Sequence, residues 1–195
     1  MWPFRRAPSL PCHDLVEALA GADPEGARAA LADKGAEAVA ALTEALSLRR
    51  TRPEHKAEIA RALGELGPSA EAAIDALVEA MNEAYEPAGD EAAEALYLVG
   101  EASVPALLRA LGQVDRPAGS MAIGVLSRFG KAAALPLVAL LERGSAIERQ
   151  RAAEALGEIG GEAGMARPAL ERAQAGDPDP LVRREAGRAL QRIWG

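Results

Sequence analysis

Aliphatic and small residues recur along this chain in two alternating kinds of phrase. One kind closes on a glycine: "GARAALADKG", "EIARALGELG", "AEALYLVG", "AIGVLSRFG", "AAEALGEIG" and "EAGRALQRIWG". Aligned on those glycines, Leu31, Leu63, Leu96, Leu126, Leu156 and Leu190 fall in one column, and Leu66, Val99, Phe129, Ile159 and Ile193 fall three places later. A spacing of three puts both columns on one face of a helix. Between them lie phrases such as "AEAVAALTEALS", "SAEAAIDALVEAMN" and "ASVPALLRALG", each with its own 3.6-residue apolar stripe. The closing glycines, Gly35, Gly67, Gly100, Gly130, Gly160 and Gly195, are 32, 33, 30, 30 and 35 residues apart. So regular a period predicts stacked repeats with two helices in each. The expected fold is an all-α, right-handed α-solenoid of about six antiparallel helix pairs. Each glycine supplies the left-handed residue that ends a second helix, and Asp or Pro before many helices caps them or presets φ. One pair cannot bury its own apolar face, so neighbouring pairs must cover each other.

Composition agrees with close-packed helices. Of 195 residues 49% are hydrophobic, yet only six are aromatic, which leaves Ala, Leu, Val and Ile to build the core. The pattern divides the chain into an N-terminal tail over 1–13 and a solenoid over 14–195. The longest uncharged stretches fall well short of the ~20 apolar residues of a membrane-spanning helix. "MWPFRRAPSLPCHD" has early arginines but no long apolar run, so it does not read as a secretory signal. Cys12 is the only cysteine and cannot form an internal disulfide framework; a reducing cytoplasm is the expected location.

The last two repeats carry the most telling residues. "PAL" on a first helix, followed by "DPDPLVRREAGRAL" on a second, resembles a HEAT repeat, and is closest to the short, roughly 30-residue bacterial variety first noticed in phycobilin lyases. The likeness covers residues 14–195 and weakens in the first repeat, where Lys34 stands in the aliphatic column. The resemblance implies that an aspartate before each second helix and an arginine at its start knit adjacent repeats together. Asp177 or Asp179 with Arg183 match that motif, and Arg149 and Lys56 share its column. Gly89 and Gly119 depart from it, so the ladder is expected to break in the middle.

No catalytic constellation is apparent, and the chain is not expected to be an enzyme or to hold a metal or cofactor. His13 and His55 lack the spacing of metal ligands. The iron-binding His-Glu pairs implied for HEAT-like deoxyhypusine hydroxylases have no match. Cys12-His13-Asp14 suits an entry turn, with Asp14 as N-cap, better than a thiol enzyme, because adjacent residues rarely converge on one reacting atom. HEAT-like DNA glycosylases suggest nucleic-acid binding through "LRRTRPEHK" or the C-terminal arginines. The net charge of −7 and pI near 5.0 oppose it.

The distinctive local feature is acidic. No Lys or Arg occurs between Arg61 and Arg109, while ten acids do, four of them (Glu71, Asp75, Glu79, Glu83) at i, i+4 spacing. The leading expectation is a non-catalytic scaffold that binds another protein, with a basic segment, on its concave side. Glu58, Asp90, Glu91 and Glu94 are the expected contact residues, with Tyr97 presented to the ligand. An accessory lyase or chaperone delivering a prosthetic group is the alternative that the resemblance implies. The acids on the first helix read as solvent-facing. Trp194, with Trp2 and Phe4 at the other end, is a candidate end contact: it either supports weak homodimerisation or folds back onto the last pair.

Overall fold

A computed structural model describes residues 10–83 and 86–195 of the chain. Among the described residues twelve α-helices follow one another: Cys12–Ala18 (α1), Pro24–Ala32 (α2), Ala36–Ser47 (α3), Pro53–Glu65 (α4), Ile74–Ala80 (α5), Glu86–Val99 (α6), Val104–Ala110 (α7), Pro117–Arg128 (α8), Lys131–Arg143 (α9), Ala146–Ile159 (α10), Arg167–Gly176 (α11) and Pro180–Trp194 (α12). Among the described residues there is no strand. Odd-numbered helices pack on the even-numbered helix that follows, giving six pairs. The even helices stack in one row, α2 through α12, and the odd helices in another. This is the α-solenoid that the period predicts.

The local signals account for most boundaries. Gly35, Gly67, Gly100, Gly130 and Gly160 have φ of 55°, 56°, 99°, 53° and 68°, the left-handed region that stops a helix at little cost only for glycine. Asp23 accepts from the Gly26 amide at 2.9 Å to cap α2, and Asp179 accepts from the Leu181 amide at 2.7 Å to cap α12. Ser145 and Glu148 form a capping box on α10. Two expectations need correction. The first helix starts at Cys12, which is a buried core residue. Pro11, not Asp14, is its N-cap; proline there presets the entry and Asp14 falls in the first turn. Burial and the nearby Glu37 carboxylate push the Cys12 thiol pKa upward, which suits packing rather than nucleophilic chemistry. The acidic phrase "SAEAAIDALVEAMN" is also not one helix. Gly67–Ala73 is a 3-10 stretch, and α5 starts only at Ile74.

Leu31, Leu63, Leu96, Leu126 and Leu156 are buried in one core, while Leu190 is half-buried. The even row is lined by alanine, and its tightest contacts are at α4–α6 and α10–α12. Gly64 and Gly157 are the reason. A Cβ on Gly64 would stand 3.0 Å from the Cα of Ala95, and one on Gly157 3.0 Å from the Cα of Ala189. In α6 the same column holds Tyr97, whose ring packs 5.4 Å from Phe129. The α6–α8 step is accordingly looser.

Gly124, on the exposed side of α8, is different: a Cβ there meets nothing within 4 Å. Gly64→Ala is expected to lower stability by roughly 1–3 kcal/mol through overpacking, despite alanine's better helix propensity. Gly124→Ala should raise it by up to about 1 kcal/mol. Urea melts of the two variants check this; equal effects would contradict the packing account.

Candidate protein-interaction face

The even helices present a face on which charged side chains reach from repeat to repeat. Arg28 of α2 donates to Glu58 at 2.8 Å and to Glu65 at 2.9 Å. Arg61 of α4 donates to Glu58 at 3.1 Å and forms a charge-assisted bond to Glu91 of α6. Glu94 of α6 receives both terminal nitrogens of Arg128 at 2.5 and 3.1 Å. The Arg128 guanidinium in turn lies 3.6 Å from the centroid of the Tyr97 ring, a cation–π contact. Hydrogen bonding to Arg128 depresses the Glu94 pKa, and bonding to Glu91 raises that of Arg61.

These contacts correct the expectation of a free acidic groove in the third repeat. Glu58, Glu91 and Glu94 are each neutralised by an arginine, and Tyr97 is half-buried between Phe129 and Arg128 rather than offered to a ligand. Counting cations between Arg61 and Arg109 misses them because Arg61 and Arg128 stand 30 and 34 residues from the acids they meet. The first-helix side behaves likewise: Asp75 pairs with Arg109 at 3.0 Å, Glu79 with Arg116 at 2.6 Å, and Glu83 with Lys56. Of the expected contact set, Asp90 alone is exposed and without an ion pair among the described residues.

The loop ladder implied by the HEAT resemblance exists in altered form. Arg149 grips Asp177 with two 2.8 Å bonds, while Arg183 donates to the Asp177 carbonyl at 2.6 Å. At Gly119 the ladder is rewired rather than broken. Arg151 reaches into the space a side chain would fill, donating to the carbonyls of Leu111 and Gln113 at 2.8 Å. Asn82 accepts from the Ala118 amide at 3.1 Å one step earlier.

Several concavities lie along the stack. Between α8 and α10 a groove of about 450 Å³ is lined by Ser120, Ile123, Gly124, Ile147, Gln150, Arg151, Glu154 and Glu158. Glu154 and Glu158 have no ion pair among the described residues. Burial, and then the nearby Glu185 and Glu158 carboxylates, raise the Glu154 pKa; Arg192 and Arg151 oppose the rise without cancelling it. Sequence reasoning missed this groove, since Glu154 and Glu158 sit in a stretch of mixed charge. A second cavity of about 340 Å³ lies among α1, α3 and the start of α4, with His13, His55, Arg50 and Arg52 on its wall. His55 is buried with Nε2 at 2.7 Å from the Val16 carbonyl. Glu17 and Glu44 share that wall with the arginines, so the basic stretch faces carboxylates, an arrangement unsuited to phosphate. Among the described residues no cluster of three His, Cys, Asp or Glu side chains could hold a metal, and no helix is long and apolar enough to cross a membrane.

At the C-terminal end, the Arg167 guanidinium sits 5.0 Å from the Trp194 ring centroid, and Trp194 remains 37% exposed. The tryptophan thus folds back against the start of α11 while keeping one edge in solvent. Trp2 and Phe4 lie outside the described residues.

Family comparisons agree with this geometry. The model for HEAT repeats matches residues 135–195, and that for the PBS lyase HEAT-like repeat matches residues 56–83. No curated protein matches the chain. Among solved structures, a chain from a study of microtubule plus-end tracking by XMAP215, CLIP-170 and EB1 is 17% identical, with a TM-score of 0.56 over 92% of this chain and 90% of that one. A designed armadillo repeat protein in complex with a (KR)4 peptide is 19% identical, with a TM-score of 0.41 over 94% and 100%. The CpcE–CpcF complex of phycocyanin lyase from Nostoc is 23% identical, with a TM-score of 0.43 over 97% and 79%. At 17% identity the first of these shares the fold alone.

The Arg149–Asp177 pair gives a sharp test of the ladder. The Asp177 side chain is only 7% exposed and bonding to Arg149 lowers its pKa, so its contribution is present above the ordinary value of 3.8 and is lost as pH falls through the depressed one. Arg149→Ala should cost roughly 3 kcal/mol at neutral pH by leaving that carboxylate unpaired. The gap from wild type should narrow as the medium is acidified below pH 3.8. Chemical denaturation across pH reads both, and a constant gap would refute the assignment.

Proposed function

We propose that this chain, a HEAT-repeat protein, is a non-catalytic scaffold that holds a protein partner along its even-helix face, and that the partner's contacting segment is basic. One observation supports the reading. On a face where Glu58, Glu91 and Glu94 are matched by arginines of the same stack, Asp90, Glu154 and Glu158 have no ion pair among the described residues. The paired residues act as a frame that fixes the face, and the unpaired carboxylates supply the attraction. Such charges speed encounter with a Lys/Arg-rich segment and lose effect as salt screens them. A reducing cytoplasm belongs to the same proposal, since the single thiol is buried in the core. Delivery of a prosthetic group is the second reading, suggested by the repeat matched at 56–83. A repeat match carries fold more readily than chemistry, and tetrapyrrole absorbance of the purified protein would be its signature.

The test is a charge reversal that spares the ladder: Asp90→Lys with Glu154→Lys and Glu158→Lys. Quantified against partners recovered with the wild-type protein, it should abolish capture while leaving the melting temperature nearly unchanged. By contrast, reversing Asp90, Glu91 and Glu94 together should lower the melting temperature, because two of the three carry inter-helix ion pairs. Undiminished capture by the ladder-sparing variant would overturn the basic-partner reading. A weak homodimer through the Trp194 end is part of the proposal. Sedimentation of wild type and Trp194→Ala should show association at high concentration only in the former, and monomers in both would end that idea.

A further inference from the structure

The ladder has one missing rung, and its position defines a site. Counting back from the closing glycines, Arg61, Glu94, Gly124 and Glu154 occupy one column of the even row, and Glu58, Glu91, Met121 and Arg151 occupy the neighbouring one. Helices α4 and α6 carry charge at both positions and use it on each other and on α2 and α8. Helix α8 offers only Met121 and Gly124. Its one nearby cation, Arg128, is turned the other way and held by Glu94. Arg151 is likewise committed, to the carbonyls of Leu111 and Gln113. Glu154 and Glu158, one turn apart on α10, therefore line the α8 side with no ion pair among the described residues, although Arg151 shares the groove wall. Beside them is open space, since a Cβ on Gly124 would touch nothing. The floor is aliphatic, from buried Ile123 and half-buried Ile147, and the groove measures about 450 Å³.

We infer that the α8–α10 groove is the docking site for a partner segment presenting an arginine or lysine beside an aliphatic side chain, the cation taking the vacant rung between Glu154 and Glu158 and the aliphatic group covering Ile123 and Ile147. Charge complementarity argues for that occupant. Elsewhere on this face the protein answers closely spaced carboxylates with a guanidinium, as Arg28 does between Glu58 and Glu65, and Arg61 between Glu58 and Glu91. Carboxylates at i, i+4 stand with Cβ atoms about 5–6 Å apart, a gap one guanidinium can bridge. The aliphatic floor gives the same segment apolar surface to bury. The inference rests on the scaffold reading and narrows it to one groove.

The probe is a fluorescently labelled helical peptide that repeats Leu and Arg at i, i+4, compared with the same peptide carrying Glu for Arg or Ser for Leu. Wild-type protein should bind the Leu/Arg peptide, more weakly as salt rises, and should bind each control at least about 10-fold more weakly, the worth of about 1.4 kcal/mol. Gly124→Arg places the protein's own cation in the space and should weaken binding by about 10-fold or more. Its melting temperature should be equal or higher, because the new side chain points into open space. Glu154→Gln with Glu158→Gln should weaken binding similarly without altering groove shape. No binding by wild type, unchanged affinity in either variant, or equal affinity for the Leu/Glu peptide would each overturn the groove assignment. If Gly124→Arg leaves capture of a full-length partner intact while the ladder-sparing reversal abolishes it, the scaffold reading stands and the groove falls. If no version captures any protein, the scaffold reading itself falls.

Discussion

The separation between successive even-numbered helices is the constraint on which the rest of the molecule depends. Helices can approach until their side chains meet, and the even row is lined by alanine with glycine at two contact points, Gly64 and Gly157. There the backbones of α4 and α6, and of α10 and α12, come close enough that even one methyl group would press on the facing Cα. With six aromatic residues in the chain, area is buried by many small close contacts rather than a few large ones. Where Tyr97 replaces the glycine, the stack opens and Phe129 and Arg128 fill the gap.

The charged ladder is a consequence of that spacing. An arginine side chain reaches a carboxylate on the next helix only if the helices are held near one another, and the small-residue row holds them there. Once in reach, pairs such as Arg149–Asp177 are largely shielded from water and tie the loop between α11 and α12 to α10. Exposed pairs such as Arg109–Asp75 contribute little to stability but fix which side chains remain free. At Gly119 the missing arginine of one repeat is answered by Arg151 from the next, so the connection survives with different chemistry.

On this face Glu58, Glu91 and Glu94 are neutralised by arginines of neighbouring helices. Asp90, Glu154 and Glu158, in contrast, carry no ion pair among the described residues. Helix α12 adds exposed Arg184 and Arg188 at the far end, so the row changes sign along its length. A ligand that read only net charge would find little to hold. One that matched the position of the unpaired carboxylates would find both attraction and an aliphatic floor.

Much of this architecture was legible in the sequence because its causes are local. A 3.6-residue stripe makes a helix amphipathic wherever it occurs, and a glycine in the left-handed region ends it; hence the repeat period, the pairing of helices and the buried leucine column could be read without coordinates. The site was less legible. Glu91 and Glu94 read as free acids because Arg61 and Arg128 belong to other repeats, and Tyr97 read as presented because Phe129 is 32 residues away. Which acid meets which arginine depends on the rotation and offset of one helix against the next, and small differences of packing at Gly64, Tyr97 and Gly124 decide it. The sequence by itself determined the helices and the order of their stacking. Only the tertiary structure decided which charges are paired and which are not, because ion pairing is a matter of distances between repeats, and those are set by backbone approach rather than by any one repeat.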